Sequence, residues 1–313
     1  MPDLAAITGG FSYTGRAIAE RLLADGWAVR SLSRRDPTGD PLRPRADVAR
    51  LQFADPDALA DAMSGASVLY NTYWIRFERG ESTFARAVED TRVLFGAAAR
   101  TGVERVVHVS VANASDASPF VYFRGKAALE RAVAASGLEH AIVRPTLVFG
   151  REDILVNNIA WILRRFPFFL VPGDGEYRVQ PVSVEDTARI CVAAADTVQG
   201  QTLDAAGPDT YTFAELVRAV AAAVGSRARL VHTSPSVALG LARLGGIALR
   251  DVVLTGDELR GLMASLLVSD EPPRGHDRLA DWLQAEGSRL GRSYVSELAR
   301  NFRPYENEPH APL

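Results

Sequence analysis

Three residues that could carry out proton-transfer chemistry lie close together in the sequence: Ser110, Tyr122 and Lys126. Tyr122 and Lys126 are four residues apart, so on a helix they would share one face. A nearby ammonium group favours the phenolate, which lowers the pKa of a tyrosine and makes its hydroxyl a usable acid or base near neutral pH. Ser110 ends an apolar run, and its hydroxyl could hold a substrate carbonyl or alcohol. The spacing therefore predicts a catalytic site.

Lys126 is the only lysine of the chain, and the other 34 basic residues are arginine. A tyrosine and a lysine at this spacing also occur by accident on ordinary helices, where the lysine is a solvated surface residue. Arginine would keep the charge but has a different shape and donor geometry. A sequence that uses arginine everywhere else indicates a specific need for lysine here, which favours the catalytic interpretation.

A glycine-rich turn, TGGFSYTG, follows the first apolar run, LAAIT. Gly9 suits the tight turn that brings backbone N–H groups to a pyrophosphate, and Gly15 would let the following helix pack closely. Ser12 stands where such turns usually carry a middle glycine, but its side chain is small and its hydroxyl could donate to a phosphate. We expect a working nucleotide cradle, with chance glycines as the alternative. The predicted contacts are Gly9, Phe11, Ser12, Tyr13, Thr14 and Gly15.

The second predicted strand ends at Arg34 and Arg35, where an NAD-specific site usually carries an acidic residue. Guanidinium groups suit a 2′-phosphate, so these arginines predict NADP. NAD stays an alternative because Asp36 is close by, and two solvated loop arginines would also explain the pattern. Asp55 is predicted either to contact the adenine or to cap the next helix. The remaining predicted cofactor contacts are Asn71 and Lys126.

Short β-rich runs alternate with alanine-rich segments of helical period over the first 145 residues. The predicted strands are 4–8, 28–33, 67–72, 105–111 and 140–145, with a further short strand around 51–54. The predicted helices are 14–25, 56–64, 82–101 and 121–136. Strands that alternate with helices predict an α/β fold with a doubly wound parallel sheet, covered on both faces.

After Pro145 charged and aromatic residues mix, and capping patterns near Ser183 and at Thr212 predict further helices. The polar, proline-rich segment 34–47 is predicted to be a surface loop. The predicted divisions are a nucleotide-binding core over 1–150 with returning elements at about 176–225, a smaller, mostly helical substrate lobe over 151–175 and 226–302, and a tail over 303–313.

Bulk properties argue against several classes of protein. The net charge is −3 with both signs interspersed, so no nucleic-acid partner is expected. A single cysteine, Cys191, excludes an intrachain disulfide, indicates a reducing compartment and is expected to be a small core residue. We find no signal peptide, no run of the roughly 20 apolar residues that a membrane span needs, and no metal-ligand spacing among the histidines. We expect a soluble, cytoplasmic protein with a small-molecule substrate and no metal, and a homodimer stays open.

The motifs together resemble the short-chain dehydrogenase/reductase superfamily, in its extended or atypical branch. The matching pieces are TGGFSYTG, Ser110 with YFRGK, VRPTLVFG (143–150) and QPVSVEDTA (180–188), and the resemblance covers about 1–225. The chain is similar in particular to epimerase/dehydratase-like proteins that resemble the NAD(P)-binding accessory subunit of respiratory complex I. The resemblance implies a Rossmann core, with Tyr122 as the acid/base, Lys126 on the cofactor ribose and Ser110 positioning the substrate. Many atypical members have lost the tyrosine or the lysine and only bind nucleotide, whereas this chain keeps both.

Aromatic residues with a few polar ones follow the fourth and sixth predicted strands, which is typical of a pocket for a partly apolar molecule. The predicted substrate contacts are Tyr73, Trp74, Arg76, Phe149, Asn157 and Trp161. Packing is the alternative for each of them taken singly. The segment RRFPFFLVPG (164–173) is predicted to be core or a lid, with a subunit contact or a membrane-surface patch as alternatives.

The sequence leaves functions from different classes open. The first is an NADP(H)-dependent oxidoreductase that acts on a largely apolar carbonyl, alcohol or quinone. The second is a nucleotide-binding sensor or assembly subunit without turnover, and a sugar-nucleotide epimerase or dehydratase is a further alternative. The Ser110, Tyr122 and Lys126 set favours the first.

Overall fold

A computed structural model describes residues 3–34 and 37–302, and the chain divides into two compact units. The first unit contains the residues up to Pro145 together with Val184–Ala205. Its described strands are β1 (Leu4–Thr8), β2 (Ala28–Ser33), β3 (Asp47–Arg50), β4 (Ala66–Asn71), β5 (Arg105–Val109), β6 (Glu139–Pro145) and β11 (Gln201–Ala205). Its described helices are α1 (Tyr13–Ala24), α2 (Pro56–Met63), α3 (Phe84–Ala98), α4 (Val121–Ala134) and α6 (Val184–Ala194).

The strands of this unit form one sheet in the order β11-β6-β5-β4-β1-β2-β3, and every neighbouring pair is parallel. The chain first moves outward from β1 to β2 and β3, and then crosses to β4 on the other side of β1. In open α/β sheets the ligand crevice lies at the carboxyl ends of the strands where the order reverses in this way. The sheet therefore brings the segments that follow β1 and β4 to one edge.

Helices cover both faces of this sheet. The helices α1 and α6 pack on one face around Cys191, whereas α2, α3 and α4 pack on the other around Leu94. Neighbouring residues of β1 alternate between the two cores, with Ala5 in the first and Ala6 in the second. Burial raises the pKa of the Cys191 thiol to about 12, so this cysteine is a core residue, as predicted. The predicted Rossmann-type, doubly wound fold is confirmed.

The segment between β2 and α2 differs from the prediction in two respects. The further short strand lies at Asp47–Arg50 rather than around 51–54, because the residues that pair with β2 are 47–50. The predicted surface loop 34–47 is partly internal, since Leu42 and Ala46 are buried in the core that contains α1. An apolar side chain between polar neighbours can turn inward while they stay in solvent. Arg35 and Asp36 lie outside the described residues, as does the predicted tail.

The second unit contains Thr146–Ser183 and residues 206–302. Its described strands are β7 (Leu147–Phe149), β8 (Phe168–Pro172), β9 (Arg178–Val179), β10 (Pro181–Ser183), β12 (Tyr211–Thr212) and β13 (Arg229–Thr233). Its described helices are α5 (Ile154–Arg165), α7 (Phe213–Ala223), α8 (Pro235–Leu249), α9 (Gly256–Met263) and α10 (Leu279–Glu286), followed by a π-helical turn at Leu298–Phe302. Among the described helices of both units, none has the length and hydrophobicity that crossing a bilayer requires.

The second unit has a core of its own, and α7 belongs to it. Val217 of α7 packs there with Phe169 and Val171 of β8, so the returning part of the first unit ends at Ala205 instead of extending to about 225. The start of α7 carries the expected capping box of Thr212 and Glu215. The segment 164–173 is divided: Phe169 and Val171 are core, whereas Phe166 and Phe168 are 46% and 48% exposed.

The turn between β1 and α1 requires glycine at two positions for different reasons. Gly9 has a φ of 67°, in the left-handed region that a side chain disfavours. A Cβ on Gly15 would lie 2.2 Å from the Gly9 carbonyl oxygen, so the helix start can approach the turn this closely only without a side chain. These are the steric roles that the sequence predicts for the two glycines.

We expect the Gly15→Ala variant to lose about 1–3 kcal/mol of unfolding free energy, because the backbone must shift to relieve the overlap. Gly96→Ala is the matched control. Gly96 lies on the exposed side of α3, a Cβ there would meet open space, and the change should stabilise the helix by about 0.5–1 kcal/mol. Urea unfolding measures both, and equal effects of the two substitutions would contradict the close approach at Gly15.

Candidate functional site

The ends of β1 and β4 are joined by hydrogen bonds at the point where the strand order reverses. The Thr8 hydroxyl donates to Asn71 Oδ1 (3.0 Å) and accepts from the backbone N–H of Thr72 (2.8 Å). Asn71 Nδ2 donates to His108 Nδ1 (3.1 Å), and burial holds the pKa of His108 well below its ordinary value, so that nitrogen can accept. Asn71 is fully buried. It therefore joins the two strand ends, and its contact with a cofactor stays a prediction.

The glycine turn that follows β1 is compact and leads directly into α1. The Ser12 hydroxyl donates to the Gly9 carbonyl oxygen (2.6 Å), so the serine side chain folds back onto the turn. A Cβ on Gly10 would lie 2.9 Å from Ser31 Cβ, so this glycine allows the turn to pack against β2. The helix α1 begins immediately after Ser12, and the first N–H groups of a helix attract anions.

The other residues of the turn have different surroundings. The Phe11 side chain is buried in the core, so only its backbone could meet a cofactor. Tyr13 and Thr14 are half-buried in the first turn of α1, and their contact with a cofactor stays a prediction.

Arg16, which sequence reasoning missed, holds the loop after β2 against this turn. Its guanidinium makes a two-pronged ion pair with Asp40 (3.0 and 2.5 Å) and lies 3.5 Å from the Phe11 carbonyl oxygen. Asp40 in turn accepts from the backbone N–H of Leu42 (2.9 Å). The position of Arg16 directly after Gly15 was the available signal, but nothing in the sequence identifies a partner 24 residues away.

The end of β2 lies beside the loop that follows β4. The Arg34 guanidinium lies 5.8 Å from the centre of the Tyr73 ring. The Tyr73 hydroxyl donates to Asp90 (2.9 Å), which also accepts from Arg86 (3.1 Å). Burial raises the pKa of Tyr73 and also that of Asp90, although Arg86 and Arg34 oppose the second shift. Tyr73 is thus held by a carboxylate on the Arg34 side of the loop, and its substrate contact stays a prediction.

Asp55 caps α2. Its carboxylate accepts from the backbone N–H groups of Asp57 (3.2 Å) and Ala58 (3.0 Å), the second of the two roles predicted for it. The nearby Phe53 ring lies 4.8 Å from the Tyr73 ring. An adenine contact of Asp55 stays a prediction.

Lys126 is buried in α4 with only 4% of its surface exposed. Its ammonium donates to the Val109 carbonyl oxygen (2.9 Å) and lies 5.0 Å from the centre of the Trp74 ring. Burial lowers the pKa of Lys126 to about 7, and the charge of Glu130, one helical turn further on, opposes this shift only in part. The amine therefore gains and loses a proton near neutral pH.

Glu130 is the second residue that sequence reasoning missed. It receives two hydrogen bonds from Arg144 (2.8 and 2.5 Å) and one from the Ser110 hydroxyl (2.5 Å). Ser110 is buried and its hydroxyl points into this network, and its predicted contact with the substrate stays a prediction. The four-residue spacing of Lys126 and Glu130 was a signal, because it places both on one face of α4.

Tyr122 is half-buried within an aromatic cluster. Its ring meets those of Trp74 and Phe84 edge-on, with 5.9 Å between centres in both cases, and that of Phe123 at 5.5 Å. The indole of Trp74 lies flat on Phe84 (5.5 Å) and rests over Gly125, where a Cβ would be 2.7 Å from its ring. Trp74 Nε1 is buried and has no hydrogen-bond partner among the described residues. The structure thus gathers Trp74, Tyr122 and Lys126 on one side of α4.

The remaining predicted substrate residues have contacts within their own units. Arg76 lies 5.6 Å from the neighbouring Phe77 ring. Phe149 is fully buried against Trp282, and its substrate contact stays a prediction. Asn157 accepts from the Gly291 N–H (3.0 Å) and donates to a nearby backbone carbonyl (3.0 Å).

Trp161 packs in the same way, against Phe166 and Tyr294, with Arg165 over its ring. The substrate roles of Arg76, Asn157 and Trp161 stay predictions.

A family model described as NAD(P)H-binding matches residues 9–197. The chain belongs to this NAD(P)H-binding family. Its relatives include a ceramide reductase from Caulobacter vibrioides, 32% identical over 232 residues that cover 73% of each chain. Subunit 9 of the NADH dehydrogenase [ubiquinone] 1 alpha subcomplex from Arabidopsis thaliana mitochondria is 26% identical over 88% of this chain and 73% of its own. The short-chain dehydrogenase/reductase resemblance is confirmed.

A solved NADPH-dependent quinone oxidoreductase from Escherichia coli, complexed with NADPH, shares the fold of this NAD(P)H-binding protein. Its TM-score is 0.72, at 19% identity, over 90% of this chain and 99% of that one. At this identity the likeness concerns the fold alone.

We expect the pKa of Lys126 in this NAD(P)H-binding protein to lie near 7. Because the chain has one lysine, lysine labelled with ¹³C at Cε gives a single signal whose shift against pH reports this amine. Glu130→Gln should move the midpoint lower, because the carboxylate favours the charged amine. A midpoint near 10 would show that the amine is solvated and would contradict the buried arrangement.

The same shift predicts how stability depends on pH. The lysine pKa is about 10.4 in unfolded chains, so between about 7 and 10.4 the unfolded state binds more protons. The unfolding free energy should therefore rise with pH in this window, by up to about 1.4 kcal/mol per pH unit relative to Lys126→Met. If urea unfolding gave the parent and Lys126→Met the same dependence of unfolding free energy on pH, the lowered pKa of Lys126 would be contradicted.

Proposed function

We propose that this protein is an NADPH-dependent oxidoreductase that uses Tyr122 as its acid/base and Lys126 beside it, and that acts on a largely apolar carbonyl, alcohol or quinone. The observation that carries the proposal is the burial of Lys126. A charged amine taken from water destabilises a fold, so a chain that places arginine at every other basic position has a specific use for this lysine.

Residues of the first unit would make the contacts with the cofactor. The glycine turn and the start of α1 would hold the pyrophosphate, and Arg34 and Arg35 would meet the 2′-phosphate. Lys126 would hold the ribose hydroxyls. When bound, the nicotinamide supplies or accepts the hydride.

The proton would move at the Tyr122 oxygen: the hydroxyl donates to a carbonyl oxygen as the carbonyl is reduced, and the phenolate accepts from an alcohol in the reverse direction. Lys126, protonated in part near pH 7, favours the phenolate that is left. Because Trp74 covers the amine, its indole would have to move when the cofactor binds. Trp74 Nε1 is buried and has no hydrogen-bond partner in the described part of the chain. Because a buried polar group of this kind destabilises a fold by about 1–3 kcal/mol, moving the indole out of this position costs little free energy.

The aromatic cluster around Tyr122 supports an apolar substrate. Trp74, Phe84 and Phe123 surround the phenol with rings, which suit an apolar carbonyl better than a sugar. The relative that is 32% identical is named for the reduction of ceramide, which is also largely apolar. Tyr73, Arg76, Asn157 and Trp161 remain candidates for further substrate contacts.

A nucleotide-binding subunit without turnover is the second candidate. It is favoured by the engagement of Lys126 with the Val109 carbonyl oxygen and by the relative that is named as a subunit of NADH dehydrogenase. In that case the amine would hold α4 to β5 and need no access to a ligand. Turnover distinguishes the two candidates.

For cofactor choice, we expect Arg34→Ala to weaken NADPH binding about 10- to 100-fold and to leave NADH binding nearly unchanged, because a charged hydrogen bond to the 2′-phosphate is lost. Calorimetric titration measures both nucleotides. Arg92→Ala, an exposed arginine of α3 paired with Glu89, is the control and should bind both as the parent does. Tighter binding of NADH than NADPH by the parent would contradict the assignment.

For catalysis, we expect Tyr122→Phe to fold and to bind NADPH, but to turn over apolar ketones and quinones at least about 100-fold more slowly, because the proton donor is removed. Lys126→Met should fold at least as well as the parent, since it removes a buried amine, and should lose a similar factor. The double variant should be little slower than either single one, as for residues that act as a unit.

Tyr211→Phe removes a hydroxyl from the second unit and is the control for these measurements. Parental turnover by Tyr122→Phe would end the catalytic assignment. No turnover by the parent with a broad panel of carbonyls and quinones, together with tight NADPH binding, would favour the second candidate. Saturable binding of a nucleotide sugar that competes with carbonyl turnover would contradict the apolar substrate.

A further inference from the structure

The helix α8 of the second unit presents its large apolar side chains to solvent and packs through its small ones. Val237, Leu241, Leu244 and Ile247 are 50%, 47%, 63% and 76% exposed. The buried positions of the helix are Ala238 and Gly246. Three- and four-residue spacing puts the four large side chains on one face. In a helix of an isolated globular unit the large apolar residues would face the core.

The strands beside this helix extend the apolar surface. The helix α8 lies against β8, which pairs in parallel with β13. Phe168 of β8 and Val231 of β13 are 48% and 43% exposed, whereas the residues on the other face of β8, such as Phe169, are in the core. We call Phe168, Val231, Val237, Leu241, Leu244 and Ile247 the α8 face.

The segment that carries most of the α8 face is strongly basic. Residues 226–250 contain four arginines and no aspartate or glutamate, although the whole chain has a net charge of −3. Arg229 is the register partner of Phe168, and Arg243 lies on α8 between Leu241 and Leu244. Arg227, Arg229 and Arg243 are all exposed. Apolar and cationic side chains are therefore interleaved on one part of the unit.

We propose that the α8 face docks on the surface of a lipid bilayer that contains anionic headgroups. An amphipathic helix with large apolar side chains outward enters the boundary between headgroups and acyl chains, and nearby arginines bind the anionic headgroups. A second copy of the chain fits less well. A symmetric dimer through this face would bring two sets of arginines together without an acidic partner in 226–250. The inference is independent of the proposed catalytic function.

Sedimentation with vesicles tests the proposal on the full chain. We expect binding to vesicles of phosphatidylglycerol mixed with phosphatidylcholine, little binding to phosphatidylcholine alone, and a decrease as salt is raised. Leu244→Glu combined with Ile247→Glu should weaken binding at least about tenfold, because the apolar contact becomes acidic. Arg227→Ser, Arg229→Ser and Arg243→Ser together should weaken it about fivefold for each arginine removed.

The matched control is Val198→Glu, which places the same acidic side chain at a valine of the first unit that is 77% exposed, and which should bind as the parent does. Because the arginine variant leaves the apolar residues in place, it keeps the test valid if the double glutamate variant folds poorly. Absence of binding by the parent would overturn the proposal, as would equal binding to neutral vesicles or equal loss in Val198→Glu. A parent dimer that Leu244→Glu dissociates, without vesicle binding, would overturn it in favour of a second copy.

Discussion

The removal of the Lys126 amine from water is the constraint on which the surroundings of α4 depend. A buried ammonium needs an acceptor and a compensating charge, which Val109 and Glu130 provide. Glu130 is in turn paired with Arg144. The chain of dependence therefore runs from the amine through the carboxylate to the guanidinium. Because the amine titrates near neutrality, any change along this chain is expected to appear as a change in its proton equilibrium.

The reversal of strand order between β1 and β4 gives these groups a common frame. Thr72 donates to the Thr8 carbonyl oxygen (2.5 Å), which fixes the loop after β4 against the turn after β1. The next two residues of that loop, Tyr73 and Trp74, then contact different elements. Tyr73 lies beside Arg34 at the end of β2, and Trp74 lies over Lys126 on α4. Two consecutive aromatic residues thereby connect the predicted adenosine side of the crevice with its predicted catalytic side.

Local patterns predicted the sheet and its helices because they depend on neighbours in the chain. Alternation of β-rich and helical segments predicted strands such as Ala28–Ser33 at their observed bounds, and the steric need for Gly9 and Gly15 could be recognised from the turn motif alone. Partnerships over long distances could not be predicted in this way. The pairing of Arg16 with Asp40 depends on how a loop folds back, and no local signal encodes it.

The direction in which a side chain points could not be predicted from the sequence either. Ser110 ends a strand, as a substrate-binding serine would, but its hydroxyl turns toward Glu130, whose pairing with Arg144 makes it a strong acceptor. Asn71 ends the neighbouring strand and turns inward to Thr8 and His108 for a similar reason. Position along a strand limits which residues can lie near a site, whereas the hydrogen-bond partners that fold around them decide where their side chains point.

The position of the Trp74 indole limits which substitutions the sequence can accept during evolution. The ring occupies space that any side chain at residue 125 would fill, since a Cβ there would be 2.7 Å from it. Residues 74 and 125 therefore share one volume, although they belong to different elements. Substitution of residue 125 by alanine would displace the indole. A smaller residue at position 74 would allow residue 125 to carry a side chain. Across descendants of this protein a side chain at residue 125 should therefore occur together with a displaced indole or with a smaller residue at 74.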